Sequence, residues 1–277
     1  MENPVLEFKD TTIRFGGLTA VAPLSFAIPR GQLAAIIGPN GAGKTTVFNL
    51  ITGVYAPTGG EIWVEGERVA SAGKSMKPHQ LVRRGVARTF QNIRLFGDLS
   101  VEDNVRAAFA SRAGYGLGDS LLQNGKMARQ ETWIEAETAK LLDIFDLSKR
   151  KHELSRNLPY GDQRRLEIAR ATATEPKILL LDEPTSGMNP SETEAVTQTI
   201  RLVREQLQIT VLLIEHHMSL VMSICERVLV LDGGVKIADD VPLAIQNNPH
   251  VIAAYLGESD PELDAAIDAG QALENSG

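Results

Sequence analysis

Nine consecutive residues, Gly38, Pro39, Asn40, Gly41, Ala42, Gly43, Lys44, Thr45 and Thr46, follow the apolar run "LAAII" and lead into "VFNLITG". Glycines at this spacing let backbone N–H groups approach phosphate oxygens, and the start of a helix turns its positive end to the same anion. Lys44 adds a charge at the β- and γ-phosphates of a nucleoside triphosphate, Thr45 offers a hydroxyl to Mg²⁺, and Thr46 is placed for another phosphate contact. A second group closes "KILLLDEP": Asp182 and Glu183 emerge at the end of an apolar strand, where ligands sit in open α/β sheets. Asp182 suits the shell of the Mg²⁺, and Glu183 suits the orientation or deprotonation of an attacking water. A third group, Glu215, His216 and His217, closes "TVLLI". Adjacent histidines invite a metal reading, but no H-x-x-x-H, H-E-x-x-H or cysteine partner accompanies them. Beside a nucleotide, His216 reads better as a hydrogen-bond donor to the γ-phosphate.

These groups need elements to bring them to one edge. The N-terminal third alternates short apolar stretches with turn residues ("VLEFKDTTIRF", "LSFAIPRG", "QLAAIIG", "GGEIWVEGERV"), the pattern of strands. From about residue 80 to 158 the spacing becomes helical, with "GYGLGDSLLQNG" as a loop between two helices. Then strand and helix alternate through "KILLLDEP", "EAVTQTIRLVREQL", "ITVLLIEH" and "MSLVMSICERVLVLDGG", the signature of a parallel sheet with crossover helices.

Composition limits the function classes. The chain has 277 residues, 43% hydrophobic and 23% charged, enough for a sizeable core. Its apolar runs fall far short of the roughly 20 residues that cross a bilayer, and "MENPVLEFKD" carries no secretion signal. The lone Cys225 fits a reducing compartment. The formal net charge is −7, and the last twenty residues hold six acids and no base, so nucleic acid is not an expected partner and the end reads as a solvated acidic extension.

One stretch resists this reading on its own: "NLPYGDQRR", a Pro-Tyr-Gly turn opening the helix "LEIARATAT". Its place in the chain explains it. A phosphate loop, Gln91 in "RTFQNIRLF", a helical insert, this turn, "LLLDEP" and His216 follow in the order found in ABC-type ATPases, which the chain resembles over about residues 5 to 257. "RFGGLTAV", "VARTFQNIRLFGDLSVEDNV" and "NNPHVIAAYLGE" are similar, within that superfamily, to the LivG-type ATPase subunits of branched-chain amino-acid importers.

The resemblance implies an α/β fold, a P-loop ABC-type ATPase with a RecA-like parallel-sheet core, an N-terminal antiparallel β subdomain and an inserted α-helical subdomain. The divisions expected are 1–92, 93–158 and 159–257, followed by the tail 258–277. It implies ATP and Mg²⁺ as cofactors, with Gln91 sensing metal and water, Asp182 as metal ligand, Glu183 as catalytic carboxylate and His216 as the switch. Phe15 falls where an aromatic ring stacks on adenine, with Val21 nearby; an alternating strand makes a core position the rival for Phe15. Tyr160, Gly161, Asp162 and Gln163 stand in the signature sequence that reaches a partner's ATP, and Gly161 is expected to carry most of that contact. Pro159, Asp162 and Asn189 stand where serine, glutamine and aspartate are usual.

The function implied is the ATP-hydrolysing motor of an importer for branched-chain or other hydrophobic amino acids. It would pair with a second ABC ATPase, sit peripherally on the cytoplasmic side of the inner membrane against two permease subunits, and serve a solute-binding protein. Permease contact is expected around Ile93 to Val105. A urea or amide importer and a lipid exporter remain open, because other subunits choose the cargo. A soluble ABC ATPase acting on ribosomes or DNA fits less well, since the chain has one nucleotide-binding unit and no basic excess.

Overall fold

A computed structural model describes residues 4–113 and 125–255; the expected loop "GYGLGDSLLQNG" and the acidic tail lie outside them, save Gly125. Strands β1 (Leu6–Phe15) and β2 (Leu18–Ile28) form a hairpin, β3 (Leu33–Ile37) precedes helix α1 (Lys44–Ile51), and β4 (Gly59–Val64), β5 (Glu67–Ser71) and β6 (Lys74–Ser75) follow. Next come α2 (Pro78–Arg83), β7 (Val86–Arg88), α3 (Val101–Ala113), α4 (Gly125–Ile144) and α5 (Tyr160–Thr172). The chain continues through β8 (Ile178–Asp182), α6 (Pro190–Leu207), β9 (Thr210–Ile214), α7 (Met218–Ile224), β10 (Arg227–Asp232), β11 (Val235–Asp240), α8 (Pro242–Gln246) and α9 (Pro249–Tyr255).

Two sheets result. One is antiparallel in the order β2-β1-β4-β5-β6; the other runs β11-β10-β3-β9-β8-β7, parallel from β10 to β7 with β11 antiparallel at its edge. Two details differ from the sequence reading. The second strand begins at Leu18 rather than Leu24, an edge strand that tolerates Pro23 because that side needs no N–H. Val86–Arg88, in a stretch with helical spacing around it, is a strand paired with β8; three residues are too few to show a period, and sheet pairing decides.

The parallel strands are apolar on both faces because both faces are covered. Leu33, Ala35, Ile37, Leu179, Leu181, Val211 and Leu213 face a core shared with α3 to α7, while Ala34, Ile36, Leu180, Leu212 and Ile214 face one shared with α1 and the antiparallel sheet. Alternate residues of each strand thus knit the helical insert to one side and the β layer to the other. The sheet order β3-β9-β8-β7 sets the ends of four strands side by side, and each end carries one of the groups singled out above.

Cys225, buried at the end of α7, has its thiol pushed up by burial, and the nearby Glu215 and Glu226 carboxylates add to the effect. We expect it to resist iodoacetamide at neutral pH in the folded chain and to react once denaturant unfolds the core. Rapid labelling of the native protein, read by mass spectrometry, would contradict this packing.

Candidate functional site

The phosphate loop leaves β3 through Gly38 at φ +146°, where an added Cβ would lie 1.9 Å from the carbonyl oxygen of Leu231 on β10. At Gly43, φ +97°, an added Cβ would lie 2.7 Å from the carbonyl oxygen of Ala20 on β2. No side chain fits at either position, so the glycines are required by the threading of the loop between two strands. Pro39 and Ala42 are buried, Asn40, Gly41 and Thr45 exposed, and Thr46 half-buried. Lys44 Nζ donates to the carbonyls of Gly38 at 2.5 Å and Pro39 at 2.8 Å, which holds the ammonium across the loop.

At the end of β8 the two acids diverge. Asp182 accepts a hydrogen bond from Arg88 Nη2 of β7 at 2.6 Å, in a nearly buried ion pair. Glu183 takes a left-handed conformation, φ 45°, with its N–H bonded to the carbonyl of Ile214 at 2.9 Å. Such a backbone costs a non-glycine residue about 1–3 kcal/mol and is characteristic of functional positions. It aims the carboxylate at Gln91, whose Nε2 donates to Glu183 Oε2 at 2.7 Å, and at His216, whose Nδ1 lies 3.9 Å from Glu183 Oε1. The three expected catalytic side chains therefore meet, although they come from three different loops.

Two supports were not read from the sequence. Glu215 is fully buried and accepts from the N–H and hydroxyl of Thr185 and from the N–H groups of His216 and His217. Burial pushes its carboxyl up, but hydrogen bonds from His217 and Thr185 outweigh that and hold it below the usual carboxylate range. Ligand atoms of Glu215, His216 and His217 lie within 4.8 Å of one another, and this hydrogen-bonded network accounts for their grouping. Arg164, on α5, is the other support. Its guanidinium donates to the carbonyls of Phe90 and Gln91 and to Glu167, which accepts the N–H of Arg94. Desolvation raises the Glu167 carboxyl despite the Arg94, Arg164 and Arg170 contacts that pull it down. In a helix that also carries Asp162, Gln163, Arg165 and Arg170, nothing in the sequence singles this buried pair out.

The turn "LPYGDQ" starts α5, with Pro159 as N-cap. Tyr160 is exposed and its hydroxyl reaches the Ser186 carbonyl at 3.4 Å. Gly161 is buried, and a Cβ there would lie 3.3 Å from Glu192 of α6, so its contribution outward is limited to its backbone at the helix start. Asp162 pairs with Arg150 and Arg165, which neutralise it. Gln163 Nε2 turns back to the Leu158 carbonyl at 2.8 Å, and Asn189 caps α6 through Glu192.

Phe15 is 45% exposed at the end of β1 and meets Tyr55 edge to face at 5.1 Å, which excludes a core position. Val21, expected near the base, has no exposed surface, and its Cγ2 lies 3.4 Å from where a Cβ on Gly43 would sit.

Residues 21–186 match the ABC transporter family, and residues 235–261 match the branched-chain amino acid ATP-binding cassette transporter family. The chain is 42% identical to the high-affinity branched-chain amino acid transport ATP-binding protein BraF of Pseudomonas aeruginosa and equally to LivG of Escherichia coli, over 94% of this chain and all of each relative. Among solved structures, the ADP conformation of an ATP-binding cassette of an ABC transporter superposes with a TM-score of 0.77 at 26% identity, covering 92% of this chain and 99% of the other.

Since Phe15 is a surface residue, Phe15→Ala is expected to cost about 1 kcal/mol or less in stability while weakening ATP binding several-fold. A core position would instead lose about 3–5 kcal/mol. Comparing melting temperature with nucleotide affinity decides between them.

Proposed function

This chain belongs to the ABC transporter family, among the ATP-binding subunits related to branched-chain amino-acid transport, and from that premise we propose that it is the ATPase motor of a branched-chain amino-acid importer. The observation that carries the reading is the meeting of Gln91, Glu183 and His216 beside a phosphate loop whose glycines are sterically obligatory.

In this reading the backbone N–H groups from Asn40 to Thr46 and the Lys44 ammonium cradle the phosphates. Glu183 and Gln91 hold a water in line with the γ-phosphate, with Glu183 accepting its proton; His216 donates to the γ-phosphate oxygens. The Thr45 hydroxyl, the Asp182 carboxylate and the Gln91 amide oxygen are hard donors that suit Mg²⁺, and Asp182 already stabilises a cation, the Arg88 guanidinium. Bound there, Mg²⁺ supplies charge neutralisation at the phosphates. Phe15 and Tyr55 present an aromatic surface to the adenine.

Hydrolysis in this reading takes a second ABC ATPase, whose nucleotide the start of α5 would contact, as the place of "LPYGDQ" in the order of motifs suggests. Tyr160 and the backbone at Gly161 serve that contact, while Asp162 is held back by its arginines. Among the described residues no helix is long and apolar enough to cross a membrane; in this reading the membrane passage belongs to permease subunits. Phe96 and Leu99, exposed within the expected contact segment, and the groove beside Val54, Val82 and Phe90 form an apolar surface suited to a permease helix. A peripheral place on the cytoplasmic face and a solute-binding protein outside complete the assignment.

Glu183→Gln is expected to retain ATP binding while slowing turnover by a factor on the order of 10² or more, the contribution of a general base. In cells lacking the native gene, the wild-type chain should restore leucine, isoleucine or valine uptake and Glu183→Gln should not. ATPase turnover within a few-fold of wild type would reject the catalytic assignment; normal uptake without the gene would redirect the cargo.

A further inference from the structure

Arg88 has no role in the reading above, yet it makes the closest contact to the metal-binding carboxylate. Its Nη2 lies 2.6 Å from Asp182 Oδ2, and the two side chains are only 8% and 9% exposed. Nη1 donates to Asn49 Oδ1 at 2.7 Å on α1, the helix that begins at the phosphate loop. The guanidinium carbon lies 5.5 Å from the ring centroid of Phe48 and 5.3 Å from that of Phe90, and Phe90 directly precedes Gln91. Its Nε is buried without a hydrogen-bond partner among the described residues, so the arginine is held by its two terminal nitrogens rather than fully satisfied. Arg88 and Phe90 both line the open groove of about 190 Å³ with Thr52, Val54, Leu81 and Val82.

A buried carboxylate without a cation is costly, and a guanidinium on it is the inexpensive way to hold it ready when metal is absent. A doubly charged metal and a guanidinium on the same oxygens repel each other. We infer that Arg88 is a positioning residue that occupies Asp182 in the nucleotide-free chain and competes with the metal of the metal–nucleotide complex for it, and that its contacts with Asn49, the Phe48 ring and the groove-lining Phe90 set the balance of that competition. This rests on Asp182 being the metal ligand. The consequence is a metal site whose readiness is controlled from the groove side, since the same guanidinium touches the groove, α1 and the carboxylate.

The test uses the full chain, the nonhydrolysed fluorescent nucleotide mant-ADP, and excess MgCl₂ or EDTA. The quantity read is the ratio of Kd without Mg²⁺ to Kd with it. Arg88→Met should raise that ratio roughly tenfold or more, the factor that one charge-assisted hydrogen bond is worth, and Arg88→Lys should fall between. A merely structural role would weaken binding equally in both buffers and leave the ratio unchanged, and a role in presenting Asp182 to the metal would lower it; either result overturns the proposal. Absence of mant-ADP binding by the wild-type chain in both buffers would instead reject the nucleotide site itself. Should Arg88→Met fail to fold, the wild-type chain decides: with ¹⁵N-arginine labelling and Arg88→Lys for assignment, the Arg88 side-chain signal should move with ADP plus MgCl₂ and not with ADP plus EDTA. The same response in both buffers overturns the proposal.

Discussion

The site depends on one buried cation. Arg164 has the largest fully buried side chain among the described residues, and its guanidinium is spent on the carbonyls of Phe90 and Gln91 and on Glu167. A segment with no regular structure, residues 89 to 98, is thereby fixed to α5 at several points: Glu167 takes the Arg94 N–H, and Arg170 bonds the Arg94 carbonyl. Most of this loop is exposed, so these bonds serve to fix its path: they anchor the Phe90, Gln91 and Arg94 backbone to buried or partly buried side chains of α5. With them, Gln91 reaches Glu183 from one side while the start of α5 faces outward on the other. The helix that begins at Tyr160 and the loop that carries Gln91 are thus bonded to each other, and Gln91 in turn bonds the Glu183 carboxylate.

A second network does the same for the other flank. Glu215 bonds the N–H groups of His216 and His217 and both donors of Thr185, joining the end of β9 to the loop after Glu183. Strained Glu183 is therefore bracketed: its own N–H is tied to Ile214, its carboxylate to Gln91, and its neighbours on both loops to Glu215. Because the tertiary bonds over-determine the position, the left-handed backbone at Glu183 persists.

Much of this was legible in the sequence, for definite reasons. The phosphate loop announces itself because the threading of its backbone tolerates nothing but glycine at positions 38 and 43. Asp182 and Glu183 were legible because an apolar strand buried on both faces has to end where they stand. Gln91 and the signature could be placed only through resemblance, since neither shows a period or a motif of its own. What stayed hidden are the residues that act through geometry between distant segments. Arg88 and Arg164 are ordinary charged residues in a one-dimensional reading, Glu215 is placed beside the histidines but not as their hydrogen-bonding hub, and Val21 and Phe15 differ in burial although both lie in the β1–β2 hairpin. Asp162, standing where a glutamine is usual, is held by Arg150 and Arg165, partners that no spacing in the sequence announces.

The central claim is that Arg164 couples the start of α5 to the catalytic loop, and it can be separated from the nucleotide pocket itself. The double variant Arg164→Met, Glu167→Gln removes the pair together and retains an acceptor for the Arg94 N–H, while Arg170 keeps its bond to the Arg94 carbonyl. ATP affinity and steady-state hydrolysis of the assembled complex should be measured side by side on it. The account predicts affinity within about threefold of wild type, because the phosphate loop is untouched, with hydrolysis reduced on the order of 10²-fold, the scale on which misplaced catalytic groups act. Hydrolysis at the wild-type rate in a folded double variant would contradict it.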